Sequence, residues 1–160
     1  RLGVAQTFHT RFPDNRFDSV DLLELVKTIE EVTRHVRPQV VYTHHGGDLN
    51  IDHRLTFEAV LTACRPLPGE PVERILSFEV LSSTEWAAPD AGRFSPNVFV
   101  DIGPFLDKKV RAMACYGSEL RPFPHPRSLE AIRYQAKLWG AKAGLRAAEA
   151  FMLLRERVVR

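Results

Sequence analysis

Five side chains able to bind metal or carry protons fall within ten consecutive positions: His44, His45, Asp48, Asp52 and His53. They lie in the run Thr43-His44-His45-Gly46-Gly47-Asp48-Leu49-Asn50-Ile51-Asp52-His53-Arg54. Imidazole and carboxylate are the groups that bind zinc at ordinary pH, and a catalytic zinc takes three such ligands plus an open position for water. The run therefore reads as one wall of a metal-dependent hydrolase site. Gly46 and Gly47 let the backbone turn tightly, so that several side chains can face one pocket. Asp52 could stand behind His53 or reach a substrate, and Asn50 could donate a hydrogen bond to a developing oxyanion. A plainer reading competes with this one. The same residues form a turn whose side chains cap a helix starting near His53, with Asp52 as its N-cap. No tight metal pattern, such as two histidines four apart on a helix, accompanies them.

The flanking elements decide where this run sits. Before it, Val20, Leu22, Leu23, Leu25, Val26, Ile29, Val32 and Val36 recur at three-and-four spacing, which predicts an amphipathic helix capped by Asp18 or Ser19 and ended by Pro38. Residues 39–43 form a short β-branched and aromatic run of the kind found in a buried parallel strand. After the loop, Leu55, Phe57, Ala59, Val60, Leu61 and Ala63 predict another helix. Helix, strand, polar loop, helix is the grammar of an open α/β sheet, in which ligands gather beyond the carboxyl ends of the strands.

Elsewhere, Gly3 reads as a helix C-cap, and residues 4–10 as a short strand. Residues 65–71 form a proline-rich connection, residues 72–81 a strand, 97–102 another with edge character, 105–116 a helix, and 129–145 a helix capped by Ser128. Residues 148–159 are ambiguous between strand and helix, and a strand after Glu149 is favoured.

Length and composition bound the function classes. A chain of 160 residues with 44% hydrophobic content suits one ordinary globular domain. With 22 Lys+Arg against 20 Asp+Glu, the formal charge of +2 gives no case for a nucleic-acid partner. The densest basic stretch, residues 121–142, is interleaved with apolar residues like a solvated helix face. No apolar run approaches the ~20 residues of a membrane span, and no secretion signal opens the chain. Cys64 and Cys115 show neither metal spacing nor a disulfide framework. Buried free thiols, suited to a reducing cytoplasm, are the expectation.

The loop and its flanks resemble a known family. The run from Thr43 to Arg54 resembles the second signature of the PIG-L/LmbE-like de-N-acetylases, zinc enzymes that remove acetyl groups from N-acetylglucosaminyl substrates and related compounds. Further segments extend the resemblance over nearly the whole chain: Phe12-Pro13-Asp14-Asn15-Arg16, Ser82-Ser83-Thr84-Glu85-Trp86, Tyr116-Gly117-Ser118-Glu119, Pro124-His125-Pro126-Arg127-Ser128 and Ala148-Glu149-Ala150-Phe151.

The resemblance implies a Rossmann-like three-layer α/β/α domain with a mostly parallel sheet. It implies zinc held by two histidines and one aspartate, with His53 as the ligand from this loop and Asp52 behind it. Relatives often carry a histidine where this chain has Asn50, and an amide can donate a hydrogen bond but cannot act as a charged acid. Asn50 or His45 would assist the oxyanion. Asp14, Asn15, Arg16, Asp48, Ser83, Trp86, Glu119 and His125 would contact an amino-sugar substrate. The family's first signature, a His-Pro-Asp-Asp-Glu-like motif that supplies the other two ligands and the general base, is not in this sequence. His125-Pro126-Arg127-Ser128 begins similarly but lacks the aspartates. The expectation is that the chain starts mid-domain, without at least one N-terminal strand-helix-strand unit on the order of 30 or more residues, and is inactive by itself. Self-association through an unpaired sheet edge is a further expectation. A noncatalytic carbohydrate-binding or interaction module derived from the same fold is the alternative.

Overall fold

The computed structural model describes residues 2–158. Arg1, where the chain was expected to begin mid-domain, and Val159, at the end of the ambiguous segment, lie outside the described residues. Contacts divide the chain into two compact units, one of residues 2–7 with 96–151 and the other of residues 8–95 with 152–158.

The second unit carries the polar loop. Its first helix, α1 (Leu22–Val36), follows a short 3-10 turn, Phe17–Ser19, and has Asp21 at its N-cap. The cap falls later than expected because residues 17–19 make their own turn. Arg37 ends α1 in the left-handed region, at φ 50°, and Pro38 prevents continuation. Leu25 and Val26 bury against Ala59 and Ala63 of α2 (Ile51–Ala63), whereas Leu23 and Val36 stay exposed. The apolar stripe of α1 is thus narrower than its sequence pattern. Between the helices runs β1 (Val40–His44), and after α2 comes β2 (Arg74–Phe78). The two strands pair in parallel, with Thr43 opposite Ser77. Ile75 and Leu76 of β2 are almost completely buried. Burying each such side chain contributes roughly 1.5–3 kcal/mol.

In the first unit β3 (Val98–Asp101) pairs antiparallel with the start of β4 (Ala148–Glu156), Val98 facing Phe151. Here α3 is Leu106–Met113 and α4 is Leu129–Ala143, the latter capped by Ser128, whose Oγ accepts from Ala131 N at 3.0 Å. Gly140 is required by close approach, because a Cβ there would stand 2.7 Å from Ala147 Cα and from the Leu145 carbonyl oxygen. Ile102, Ala136 and Ala147 form the local core.

The strand order is β1-β2-β4-β3, with β3 at the edge as its sequence suggested. The α/β class holds. The sheet is mixed: β1 with β2 is parallel and β3 with β4 antiparallel. The strand expected over residues 4–10 does not form. Those residues are exposed, Val4 at 68%, and without a neighbouring strand their backbone groups turn to solvent. Of the two thiols, Cys64 is buried as expected, and burial pushes its pKa up; Cys115 is exposed just past the end of α3. Among the described residues no helix is long and apolar enough to cross a membrane.

Candidate functional site

The polar run leaves the carboxyl end of β1 and enters α2, where an α/β sheet gathers its ligands. Asn50, not Asp52, is the N-cap of α2. Its side-chain oxygen accepts from Asp52 N at 2.8 Å and His53 N at 3.4 Å, and its Nδ2 donates to Asn15 Oδ1 at 2.8 Å. The expected capping turn exists, then, two residues earlier. Arg54 secures the loop from the other side, donating to the carbonyls of Asp48 at 2.8 Å and Leu49 at 2.6 Å.

Asp48 is 1% exposed and sits at the centre of the loop. Its Oδ1 accepts from Asn50 N at 2.9 Å, from His53 Nδ1 at 3.0 Å and from the Ser83 hydroxyl, while its Oδ2 accepts from Thr84 Oγ1 at 2.5 Å. Burial alone would raise the carboxyl pKa, but the hydrogen bonds from His53, Ser83, Thr84 and Asn50 outweigh it and hold the group well below the usual carboxylate range. Asp48 is thus an internal anchor between the loop and the 83–84 turn, with Ser83 as one of its donors.

Asp52 is also buried, but its partners are backbone groups. Its Oδ2 accepts from Asn15 N at 2.6 Å and its Oδ1 from Phe17 N at 2.9 Å. It therefore ties residues 15–17 to the start of α2, and the carboxylate behind the His53 ring is Asp48. Asn15 takes φ 54°, a left-handed conformation that asparagine tolerates. Asp14, Asn15 and Arg16 are exposed, and Asn15 meets Asn50.

His45 is 6% exposed; its Nε2 meets the Gly92 carbonyl at 3.0 Å and its ring packs edge-on against Phe94. The acceptor Gly92 O makes Nε2 a donor, so this nitrogen holds the 91–94 segment. Gly46 and Gly47 matter for approach and not for an unusual turn. A Cβ on Gly46 would stand 2.6 Å from the Phe57 ring, and one on Gly47 2.3 Å from the Gly92 carbonyl oxygen.

His44 is the functional-looking residue that sequence reading left without a role. Its ring stacks on His53 at 4.1 Å between centroids and 15° between planes. Burial, with the neighbouring His53, lowers its pKa to about 4 against a smaller opposing effect of Asp48. Its Nδ1 has no hydrogen-bond partner among the described residues. Two adjacent histidines at the end of a strand signalled polar chemistry, but nothing in the sequence indicated which ring would lie on His53.

Trp86 closes the 3-10 turn Thr84–Trp86 and is 51% exposed. Glu119 and His125 belong to the other compact unit. There Glu119 pairs with Arg127 at 2.5 Å, and His125 Nδ1 accepts from Arg127 N at 3.0 Å.

The donor set for a metal is incomplete. Among the described residues no group of three His, Cys, Asp or Glu side chains is placed to hold an ion. Asp48 and Asp52 are engaged by protein donors and His45 by Gly92, which leaves His53, 20% exposed, with its Nε2 uncommitted by any of these bonds. The residues present do not fit a three-ligand centre.

An α/β fold with a histidine- and aspartate-rich loop at a strand end defines the class, and comparison with known proteins narrows it. Residues 1–64 match the family model described as PIG-L: GlcNAc-PI de-N-acetylase. A curated relative, the uncharacterized deacetylase YaiS of Escherichia coli (strain K12), is 30% identical over 106 residues, which is 63% of this chain and 50% of that protein. The chain thus spans about half the length of the curated relative it matches. The conserved protein TT1542 from Thermus thermophilus aligns with a TM-score of 0.69 and 25% identity over 93% of this chain and 65% of that one. The N,N'-diacetylchitobiose deacetylase from Pyrococcus horikoshii aligns with a TM-score of 0.61 and 20% identity, over 82% and 51%, a likeness of fold alone. The family that its motifs resembled is thus the one whose model residues 1–64 match, and the fold is similar to that of these solved structures.

Proposed function

We propose that residues 1–160 are part of a single hydrolase domain that removes the N-acetyl group from an amino-sugar substrate. The observation that carries the reading is His53. It is fixed at the carboxyl end of β1 by a buried carboxylate on Nδ1, with Nε2 left uncommitted, in a segment matching a de-N-acetylase family. Of the three residues offered for catalysis, Asn50 keeps one Nδ2 hydrogen beyond its bond to Asn15 and can present it to the acetamide oxygen. Asp52 and His45 act by shaping the site, the first by holding residues 15–17 and the second by holding the 91–94 segment. The exposed Asp14, Asn15, Arg16 and Trp86 form the substrate side, Trp86 offering an aromatic face to a sugar ring. Glu119 and His125 keep a proposed place at the substrate with no geometry assigned to it. His53 Nε2 is the donor this chain offers to zinc, which would supply an activated water. Because the other ligands are not among the described residues, no catalytic step is derived through the metal. The thiols fit a cytoplasmic setting, and self-association remains part of the proposal.

The test uses the full protein containing this chain, acetate release from N-acetylglucosamine conjugates and metal analysis. His53→Ala should lower the rate beyond the roughly 10–100-fold typical of losing a residue behind a ligand. A metal-free preparation in which His53→Ala deacetylates like the wild type would overturn the reading. For the 160-residue chain alone, titration calorimetry should find no submicromolar zinc binding.

The incomplete donor set favours one second reading, a carbohydrate-binding module without turnover. Saturable binding of N-acetylglucosamine conjugates by the full protein, with no acetate release and no effect of His53→Ala on affinity, would select it.

A further inference from the structure

The resemblance implied Asp52 behind His53 and Asp48 and Ser83 at the substrate. The geometry points to a different arrangement: we propose that Asp48, held by Ser83, Thr84 and the Asn50 amide, fixes His53 in its Nδ1–H tautomer and turns Nε2 outward as a lone-pair donor.

A neutral imidazole has one N–H and one lone pair, and which nitrogen carries the proton is set by what each faces. His53 Nδ1 lies 3.0 Å from Asp48 Oδ1, a carboxylate oxygen that already accepts from the Asn50 amide and the Ser83 hydroxyl. The proton therefore sits on Nδ1. An imidazole free in water favours the other tautomer, so the protein has to select this one.

The selection depends on a carboxylate that cannot move. Thr84 Oγ1 accepts from Val80 N at 2.7 Å, so its hydrogen is left for Asp48 Oδ2. Ser83 gives its hydroxyl hydrogen to Oδ1. The turn bearing both is tied by Glu85, whose carboxylate accepts from Ser82 N at 2.6 Å and Ser83 N at 3.2 Å. Asn50 N closes the set from the loop side at 2.9 Å. The chain of restraint runs from Glu85 through the two hydroxyls to Asp48 and then to the ring. Asp48, Ser83 and Thr84 are positioning residues in this scheme, and its consequence for turnover rests on the deacetylase reading.

The distribution of donors predicts a diagnostic contrast between two substitutions. Oδ1 serves three donors and Oδ2 one. In Asp48→Asn the amide oxygen should take the three-donor position, keep accepting from His53 and preserve the tautomer. In Asp48→Ala no acceptor remains, and His53 should revert to Nε2–H.

The experiment is long-range proton–nitrogen correlation on the 160-residue chain labelled at histidine, with His53 assigned by its loss in His53→Gln. Work at about pH 8.5 keeps ordinary imidazoles, of pKa about 6.5, neutral. The expected result is Nδ1–H in the wild type and Asp48→Asn, and Nε2–H in Asp48→Ala. A wild type in the Nε2–H form overturns the proposal outright, a readout that needs no variant to fold. An Asp48→Ala protein that keeps Nδ1–H overturns it as well. In the full protein, acetate release should fall about 10–100-fold in Asp48→Ala and recover in Asp48→Asn. If the tautomer changes and the rate does not, the positioning role is wrong. If neither protein releases acetate, the deacetylase reading fails while the tautomer result stands by itself.

Discussion

Two turns dock against the loop that follows β1, and each does so through a buried aspartate, but the bonds differ in kind. The 82–86 turn reaches Asp48 with side-chain hydroxyls, deep in the protein. The 15–17 turn reaches Asp52 with backbone N–H groups, in a part-buried position nearer the surface. One contact depends on the identity of Ser83 and Thr84, and the other only on the path of the chain. The difference predicts which substitutions matter. Removing a buried acceptor strands its donors, whereas donors near the surface can turn to water.

The largest effect is therefore expected at Asp48. Asp48→Ala leaves the Ser83 and Thr84 hydroxyls, the Asn50 amide and His53 Nδ1 without their acceptor. A loss of about 3–4 kcal/mol in urea unfolding is expected, since stranded buried donors cost about 1–3 kcal/mol each and do not add fully. At Asp52 the same truncation should cost about 1–2 kcal/mol, with faster amide exchange at Asn15 and Phe17 alone. Equal losses at the two positions would break the comparison.

The ring of His44, stacked on the histidine that Asp48 holds, adds a pH test. With a folded pKa lowered to about 4 by burial, His44 binds its proton less readily than in the unfolded chain, where the value is 6.5. Below 6.5 the unfolded state takes up the proton first, so stability present above that pH should be lost as pH falls toward 4. The change is on the order of 2 kcal/mol after allowing for partial exposure. His44→Phe keeps a ring against His53 and should flatten this limb of the stability profile. An unchanged limb would show that the His44 environment is wetter than its packing implies.

How much of this was legible in the sequence follows from the same contrast. The helix-strand-loop-helix order was readable because apolar spacing reports it directly, and the polar loop was readable because His, Asp and Asn crowd one segment. The partners of Asp52 were not, because backbone N–H groups carry no sequence signature. The hydrogen bonds of Asp48 were not legible for a related reason: hydroxyls and a carboxylate at strand ends look the same whether they meet a substrate or each other, and only burial separates the cases. The antiparallel pairing of β3 with β4 was not legible, because residues 97–102 and 148–159 gave strand composition without strand direction. Asn50 escaped as N-cap because Asp52 nearby has the same capping ability.

The smallest structural effect should fall on the exposed side of the comparison. On the proposed deacetylase reading, Asp48 and Asp52 are committed to protein donors and recognition of a sugar falls to side chains such as Trp86, which is 51% exposed although it lies two residues from Thr84. Trp86→Ala should change stability by no more than about 0.5 kcal/mol, as surface substitutions usually do. In the full protein it should raise KM for an N-acetylglucosamine conjugate several-fold and leave kcat nearly unchanged, because stacking on a ring binds substrate and transition state alike. Thr84→Val should reverse the pattern. It removes a buried hydroxyl bond, costs about 1–2 kcal/mol and acts on kcat through the position of His53. If Trp86→Ala instead lowers kcat and stability together, the 82–86 turn is one structural unit, and the division between an anchoring and a recognising face within it is wrong.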